Sequence, residues 1–251
     1  MRYLDPKADL TFKKIFGEHK DLLISLLNAL LPLADDEQIE SAEYLSPELV
    51  PETYVGKNSI VDVRCRDVKG RQFIVEMQNA YQTFFKDRSL YYATFPIREQ
   101  AEKGDVWNYQ LKHVYVVALL NYEMSDPAFS TESINHDIGL LDKQTHRVFN
   151  DKLTFKYVEI SKFNKSLEEL ESNYDKWLYV LRNLSRLDSQ PDYLRNEIFN
   201  RLFSEAEIAQ FSKVELREYE DSLKAYRDIK NSLDTAKAEG RAEGLVEGRA
   251  E

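Results

Sequence analysis

Apolar residues recur along this chain in three rhythms, and each predicts a different element. Over residues 9 to 31, Phe12, Ile15, Phe16, Leu22, Leu23, Leu26, Leu27 and Leu30 return every three or four positions, the spacing of one helix face. Gly17 interrupts the stripe and Pro32 follows it, so two helices are predicted, about 9–16 and 20–30. Asp9 is placed either to cap the first or to support a site beyond it. Residues 38–45 read as a first strand, and residues 58–78, NSIVDVRCRDVKGRQFIVEMQ, as two β-rich runs about a turn at 68–70. After a loop at 79–82, Phe84, Phe85, Leu90, Tyr91, Tyr92, Phe95 and Ile97 predict an aromatic helix over 83–103, kinked or split at Pro96. The unbroken run at 112–121 reads as a strand buried on both faces. Residues 123–143 read as irregular, and a second hairpin is predicted from 145–149 and 153–160, turning at Asn150-Asp151.

Beyond residue 162 the helical rhythm returns. Leu167, Leu170, Tyr174, Trp177, Leu181 and Leu184 share one face, started by a Ser166-x-x-Glu169 capping box and ended by Pro191. Ser204-x-x-Glu207 and Ser212-x-x-Glu215 predict two more helix starts, the last helix carrying Leu216, Tyr219, Leu223, Tyr226 and Leu233. From Ala238 a four-residue repeat places Gly240, Gly244 and Gly248 on one stripe. Each glycine weakens a helix by about 1 kcal/mol relative to alanine. Both readings of this tail stay open: disorder, or self-association through closely approaching C-terminal helices.

The hairpin at 58–78 holds the candidate chemistry. Asp62 lies among Ile60, Val61 and Val63, and Glu76 and Gln78 follow Phe73, Ile74 and Val75. A three-residue loop at 68–70, with Gly70 in the left-handed conformation, sets Asp67 opposite Arg71 and Asp62 opposite Glu76. Gln78 then shares the face of Glu76, while Val61, Val63, Cys65, Phe73, Val75 and Met77 fill the other. A two-residue loop would slip the register and separate the acids. Two carboxylates brought together in this way can hold a hard divalent cation such as Mg²⁺. The plainer reading is a sheet-edge hairpin with its acids in solvent.

Composition narrows the classes. The chain has 251 residues, 43% hydrophobic and 31% charged, with a formal charge of −10. That balance opposes general attraction to nucleic acid. Residues 55–115, however, hold ten Lys or Arg and seven Asp or Glu, so a local phosphate-binding face is expected there. Cys65 is the single cysteine, which leaves neither an intramolecular disulfide nor a cysteine metal site and reads as a core residue. The four histidines are scattered. No membrane span and no apolar leader are read, so a cytoplasmic protein is expected.

Asp62, a hairpin, and Glu76-x-Gln78 resemble the PD-(D/E)XK nuclease core. With the opening Asp9-Leu10-Thr11-Phe12-Lys13-Lys14-Ile15-Phe16-Gly17, Arg88 before Tyr91 and Tyr92, and the Ala-Glu-Gly tail, nearly the whole chain resembles the PD-(D/E)XK nuclease family transposases, the recombination-promoting nucleases. The resemblance implies an α/β restriction-endonuclease-like core, a mixed sheet flanked by helices, over residues 1–162. A helical C-terminal region over 163–235 and the repeat tail over 236–251 would follow. It implies a Mg²⁺-dependent DNA endonuclease, with Mn²⁺ as a substitute, linked to recombination or transposition. Asp62 and Glu76 would ligate the metal with the Met77 carbonyl, Gln78 would orient water, Arg88, Lys13 and Lys14 would hold DNA phosphate, and Asp9 would support the site. The chain departs from the wider superfamily at Gln78, where lysine is usual, and at Val61, where proline is usual. Glutamine can hydrogen-bond a water but carries no charge. A second reading follows from that change and from the acidic net charge: a catalytically weak scaffold acting through its helical C-terminal region.

Overall fold

Two short amphipathic helices open the chain in the computed structural model, which describes residues 2–49, 59–101 and 108–247. Helix α1 (Asp9–Glu18) and helix α2 (Lys20–Leu30) meet at His19, two residues past Gly17. Ala8 occupies the cap position of α1, so Asp9 is the first helical residue, not its side-chain cap. Short strands β1 (Ala42–Tyr44), β2 (Glu48–Leu49) and β3 (Ser59–Ile60) precede β4 (Val63–Asp67) and β5 (Gln72–Gln78). Helix α3 (Phe85–Arg98) follows, with Pro96 in its last turn, where it stops the helix instead of kinking it. Then come β6 (Val114–Leu120), β7 (Asn135–Leu141), β8 (Val148–Glu159), α4 (Asn173–Asn183), α5 (Glu197–Glu205) and α6 (Lys213–Glu247).

Six strands form one mixed sheet in the order β1-β4-β5-β6-β8-β7. Its centre, β5-β6-β8, is parallel, and both flanks are antiparallel. Every residue of β5 and β6 is buried, as expected of parallel strands covered on both faces. On one face, Cys65, Phe73, Val75 and Val117 pack with Phe16, Leu26, Trp177 and Phe199 from α1, α2, α4 and α5. On the other, Ile74, Val114 and Val116 pack with Tyr92, Ala93 and Phe95 of α3. The C-terminal helices α4 and α5 therefore complete the same core as the N-terminal ones. Among the described residues no helix is long and apolar enough to cross a membrane.

The predicted hairpin register holds. Val63 pairs with Val75, Arg64 with Ile74, Cys65 with Phe73 and Arg66 with Gln72. Gly70 takes φ 81° in the turn. Two expectations on this stretch change. Asp62 lies in a bend before β4, not inside a strand. Val61, on the far side of that bend, packs with Ile74 and Tyr92, not with Cys65. The bend cancels the alternation that a continuous strand would impose.

The second predicted hairpin is displaced. Asn150-Asp151 does not turn the chain: β8 runs through it, and the partner strand is β7, in the stretch read as irregular. Asn150 faces Leu140 where the β7–β8 register shifts, so a turn-forming dipeptide serves as an irregularity in a ladder. Helix starts also moved. Ser166 and Glu169 box a short 3₁₀ turn, while α4 begins at a second box made by Ser172 and Asp175. Ser204 lies inside α5, whose cap is Asn196. The Ser212–Glu215 box does open the last helix, with Ser212 N–H donating to Glu215 Oε2 at 2.7 Å. That helix runs past Gly240 and Gly244 to Glu247, with open space around Gly240; Gly248 lies outside the described residues.

Candidate active site

The site forms where the bend at Asp62 meets the carboxyl end of β5. Met77 N–H donates to Asp62 Oδ2 at 2.7 Å, and Asp62 N–H donates to Glu76 Oε1 at 3.2 Å. The carboxylates are thus tied together through backbone. Gln78 extends the line, its Nε2 donating to Glu76 Oε2 at 2.9 Å. Arg88, one turn into α3, donates from Nη2 to Gln78 Oε1 at 2.7 Å and lies 3.8 Å from Glu76 Oε2. Its Nη1 also reaches Gln82, and its guanidinium sits 5.1 Å from the Phe85 ring centre and 5.8 Å from that of Tyr92. Gln82 is a site neighbour that the sequence reading missed.

From the other side α1 contributes Lys13. Its Nζ stands 2.7 Å from Asp9 Oδ1, an i,i+4 pair, and 3.6 Å from Asp62 Oδ1. Asp9 therefore holds Lys13 beside Asp62, and its own charge adds a repulsion on the Asp62 carboxylate. Lys14 is elsewhere: it pairs with Glu215 of α6 at 2.5 Å and lies 4.1 Å from the Phe211 ring centre. Neighbouring helix positions differ by about 100° in direction, so one lysine faces the acids and the next faces α6. The Glu215 carboxyl is held down to about 2, first by that lysine and then by the Ser212 backbone.

The expected basic face is largely spent on ion pairs. Buried Arg64 is held by Glu99 and Gln72, and Arg66 by Glu43. Lys69 and Arg71 share Glu37, each at 3.0 Å, and Arg71 also holds Asp67 at 2.6 Å. A local charge excess counts residues; it does not say which of them reach solvent unpaired.

Burial raises both carboxyl pKa values. Glu76 is only 4% exposed; its desolvation is the first cause and the neighbouring Asp62 carboxylate the second, against partial relief from Arg88. Asp62 rises chiefly from burial, opposed by the Met77 N–H and Lys13. Like charges held this close favour protonation or a cation. The donor set fits a hard divalent ion, because it offers buried carboxylate oxygens whose mutual repulsion a cation would relieve. Among the described residues no group of three or more His, Cys, Asp or Glu gathers, so backbone oxygen and water would supply the remaining positions.

A pH prediction follows. In the folded protein the Glu76 pKa is raised to about 8 from a reference of 4.5. Between those values the folded state keeps a proton that the unfolded chain has lost. Stability without metal therefore falls as pH rises through that window, by up to about 1.4 kcal/mol per pH unit. Thermal denaturation in EDTA from pH 5 to 8 should show the decline, and a saturating divalent metal should remove it. A flat metal-free profile would contradict this account of Glu76.

A mixed six-stranded sheet flanked by helices, with paired acids beside the sheet centre, is an α/β architecture of the PD-(D/E)XK kind. The chain belongs to the PD-(D/E)XK nuclease family transposases, whose family model matches residues 6–236. That membership supports a nuclease or transposase-like role. Comparison with curated proteins and with solved structures gave no match.

Proposed function

We propose that the protein is a metal-dependent endonuclease that hydrolyses DNA phosphodiester bonds in recombination or transposition. The observation that carries this reading is the tie between Asp62 and Glu76, two buried acids joined through Asp62 N–H with Gln78 beside them. Asp62, Glu76 and the Met77 carbonyl would hold Mg²⁺, or Mn²⁺ in its place. When bound, such an ion stabilises phosphate charge and acidifies a coordinated water. Gln78 Oε1 accepts from Arg88 and keeps a second lone pair with which to orient a water. Arg88, 3.8 Å from Glu76 Oε2, and Lys13, 3.6 Å from Asp62 Oδ1, each approach one acid of the pair and would receive the phosphate. Lys14, committed to Glu215, has no part in this scheme. A cytoplasmic location, where DNA is accessible, belongs to the same reading.

One observation favours the second reading, a fold kept as an interaction scaffold. Both ends of the Gln78 amide are already engaged, by Glu76 and by Arg88, which is also what a purely structural glutamine would show. A plasmid-nicking assay separates the two. Wild type with Mg²⁺ or Mn²⁺ should convert supercoiled DNA to open circles. Asp62→Ala should lose about three orders of magnitude, the scale of a several-kcal/mol metal contribution. An inert wild type, or equal cleavage by the variant, would favour the scaffold.

A further inference from the structure

A cavity of about 710 Å³ opens beside Gln78, at the carboxyl ends of the parallel strands β5 and β6. Asn79 and Asn121, the first residues past those strands, form its floor. Asn121 N–H donates to the Gln78 carbonyl at 2.9 Å, so floor and acid site share backbone. Tyr81 and Tyr122 form one wall, edge to face with ring centres 5.7 Å apart. Tyr122 lies near enough to Arg88 to feel its charge. The opposite wall is one stripe of α6, Tyr226, Lys230 and Asp234, at successive four-residue spacings.

Three features say what this cavity takes. Its size falls within the range of small-molecule sites, roughly 300–1,000 Å³. Two lining residues, Tyr122 and Ser161, also carry hydroxyls that are enclosed and have no hydrogen-bond partner among the described residues; such groups are costly, and a shift of either side chain toward the cavity would offer a polar edge to its occupant. The charged lining is Glu123 and Asp234 against Lys230, a balance that turns phosphate away. A neutral, flat group with polar edges fits all three. Asparagine amides match the edge of adenine, and tyrosine rings offer a stacking surface tolerant of any base.

We propose that this cavity receives an extrahelical nucleobase of the DNA next to the phosphate held at Arg88, so that the protein prefers DNA with unpaired bases. The assignment of DNA as the source rests on the nuclease reading. It also gives α6 a task beyond packing. Its first turns are anchored through Leu216, Tyr219 and Leu223 on Leu4, Ala8 and Phe211, and its continuation carries Tyr226 and Lys230 to the cavity. Tyr81 would supply the stacking ring and Asn121 the edge contact. The side-chain carbonyl of Asn121 has no protein partner among the described residues, its amide nitrogen donating to Asn79 Oδ1 at 3.3 Å.

The test reads binding in EDTA by fluorescence anisotropy, with a duplex carrying one unpaired adenine and its fully paired counterpart. Wild type should bind the bulged duplex about tenfold more tightly, the scale of one stacked base. Tyr81→Ala should erase that preference, and Tyr81→Phe should keep it. Tyr81 is 41% exposed, so its truncation spares the core, and Tyr226→Ala repeats the test from a separate element. Equal affinities in wild type, or a preference that survives both alanine variants, overturns the proposal. Displacement of the bulged duplex by deoxyadenosine monophosphate at micromolar concentration also overturns it, in favour of a free-nucleotide site. A base preference that persists in a protein unable to cleave either duplex with Mg²⁺ or Mn²⁺ would refute the nuclease reading and leave the pocket standing. Cleavage without the preference would do the reverse.

Discussion

Glu76→Gln lowers plasmid cleavage by about a thousandfold while the protein remains folded. The substitution preserves volume at a side chain that is almost fully enclosed and keeps an oxygen for the Asp62 N–H, which reaches Glu76 Oε1 at 3.2 Å. It removes one of the two charges that would hold the cation. Loss of several kcal/mol of charge stabilisation corresponds to about three decades in rate. The same variant removes the carboxyl whose pKa burial and Asp62 raise, so its metal-free stability should vary less between pH 5 and 8 than that of wild type. The two measurements check each other. Retained activity would show that Glu76 is not a ligand. Lost activity with an unchanged pH slope would show that the titrating group is a different one.

Trp177→Ala destabilises the protein by about 3–5 kcal/mol, the cost of emptying a large aromatic site. Trp177 on α4 has no exposed surface and stands between Phe16 of α1, at 5.7 Å, and Phe199 of α5, at 5.0 Å. Its indole N–H donates to Ser25 Oγ of α2 at 3.1 Å. One side chain therefore joins four helices from both ends of the chain. Domains carry only about 5–15 kcal/mol of net stability, so a loss of this size lowers the melting temperature by on the order of 10 °C. Because the core is shared, circular dichroism and tryptophan fluorescence should report one common transition in wild type. Two separated transitions would mean that the C-terminal helices fold as a unit of their own.

The parts of the fold legible in advance are those governed by local rules. The stripe from Phe12 to Leu30 needs only helical periodicity, and the run from Val114 to Leu120 needs only its unbroken apolar character. The hairpin register follows from one glycine, because Gly70 takes the positive φ that a three-residue turn requires. That register brought Glu76 and Gln78 onto one face and Asp62 to their side. The strand β7 escaped because an edge strand that is half-buried at Asn135 and His136 and exposed from Asp137 to Leu141 carries no alternation to read. Asn150-Asp151 misled because a turn dipeptide and a ladder irregularity use the same residues.

The candidate site shows the same division. Asp62, Glu76 and Gln78 were recognisable by spacing, yet their contact comes from the bend at Asp62, which turns its N–H onto Glu76. Lys13 and Lys14 are indistinguishable as letters. The packing of α1 against β4 and α6 sends one to Asp62 and the other to Glu215. The basic excess over residues 55–115 holds as a count, but Arg64 is buried against Glu99, and Arg71 against Asp67 and Glu37. The stripes of the first two helices, the central strands, the turn and the pair of acids follow from neighbours a few residues apart and are legible in the chain alone, whereas the starts of α4 and α5 are not. Which charges stand free, which lysine meets the acids, and how α6 walls a cavity beside Gln78 were decided only in the folded chain, where electrostatics and packing act between residues far apart in order.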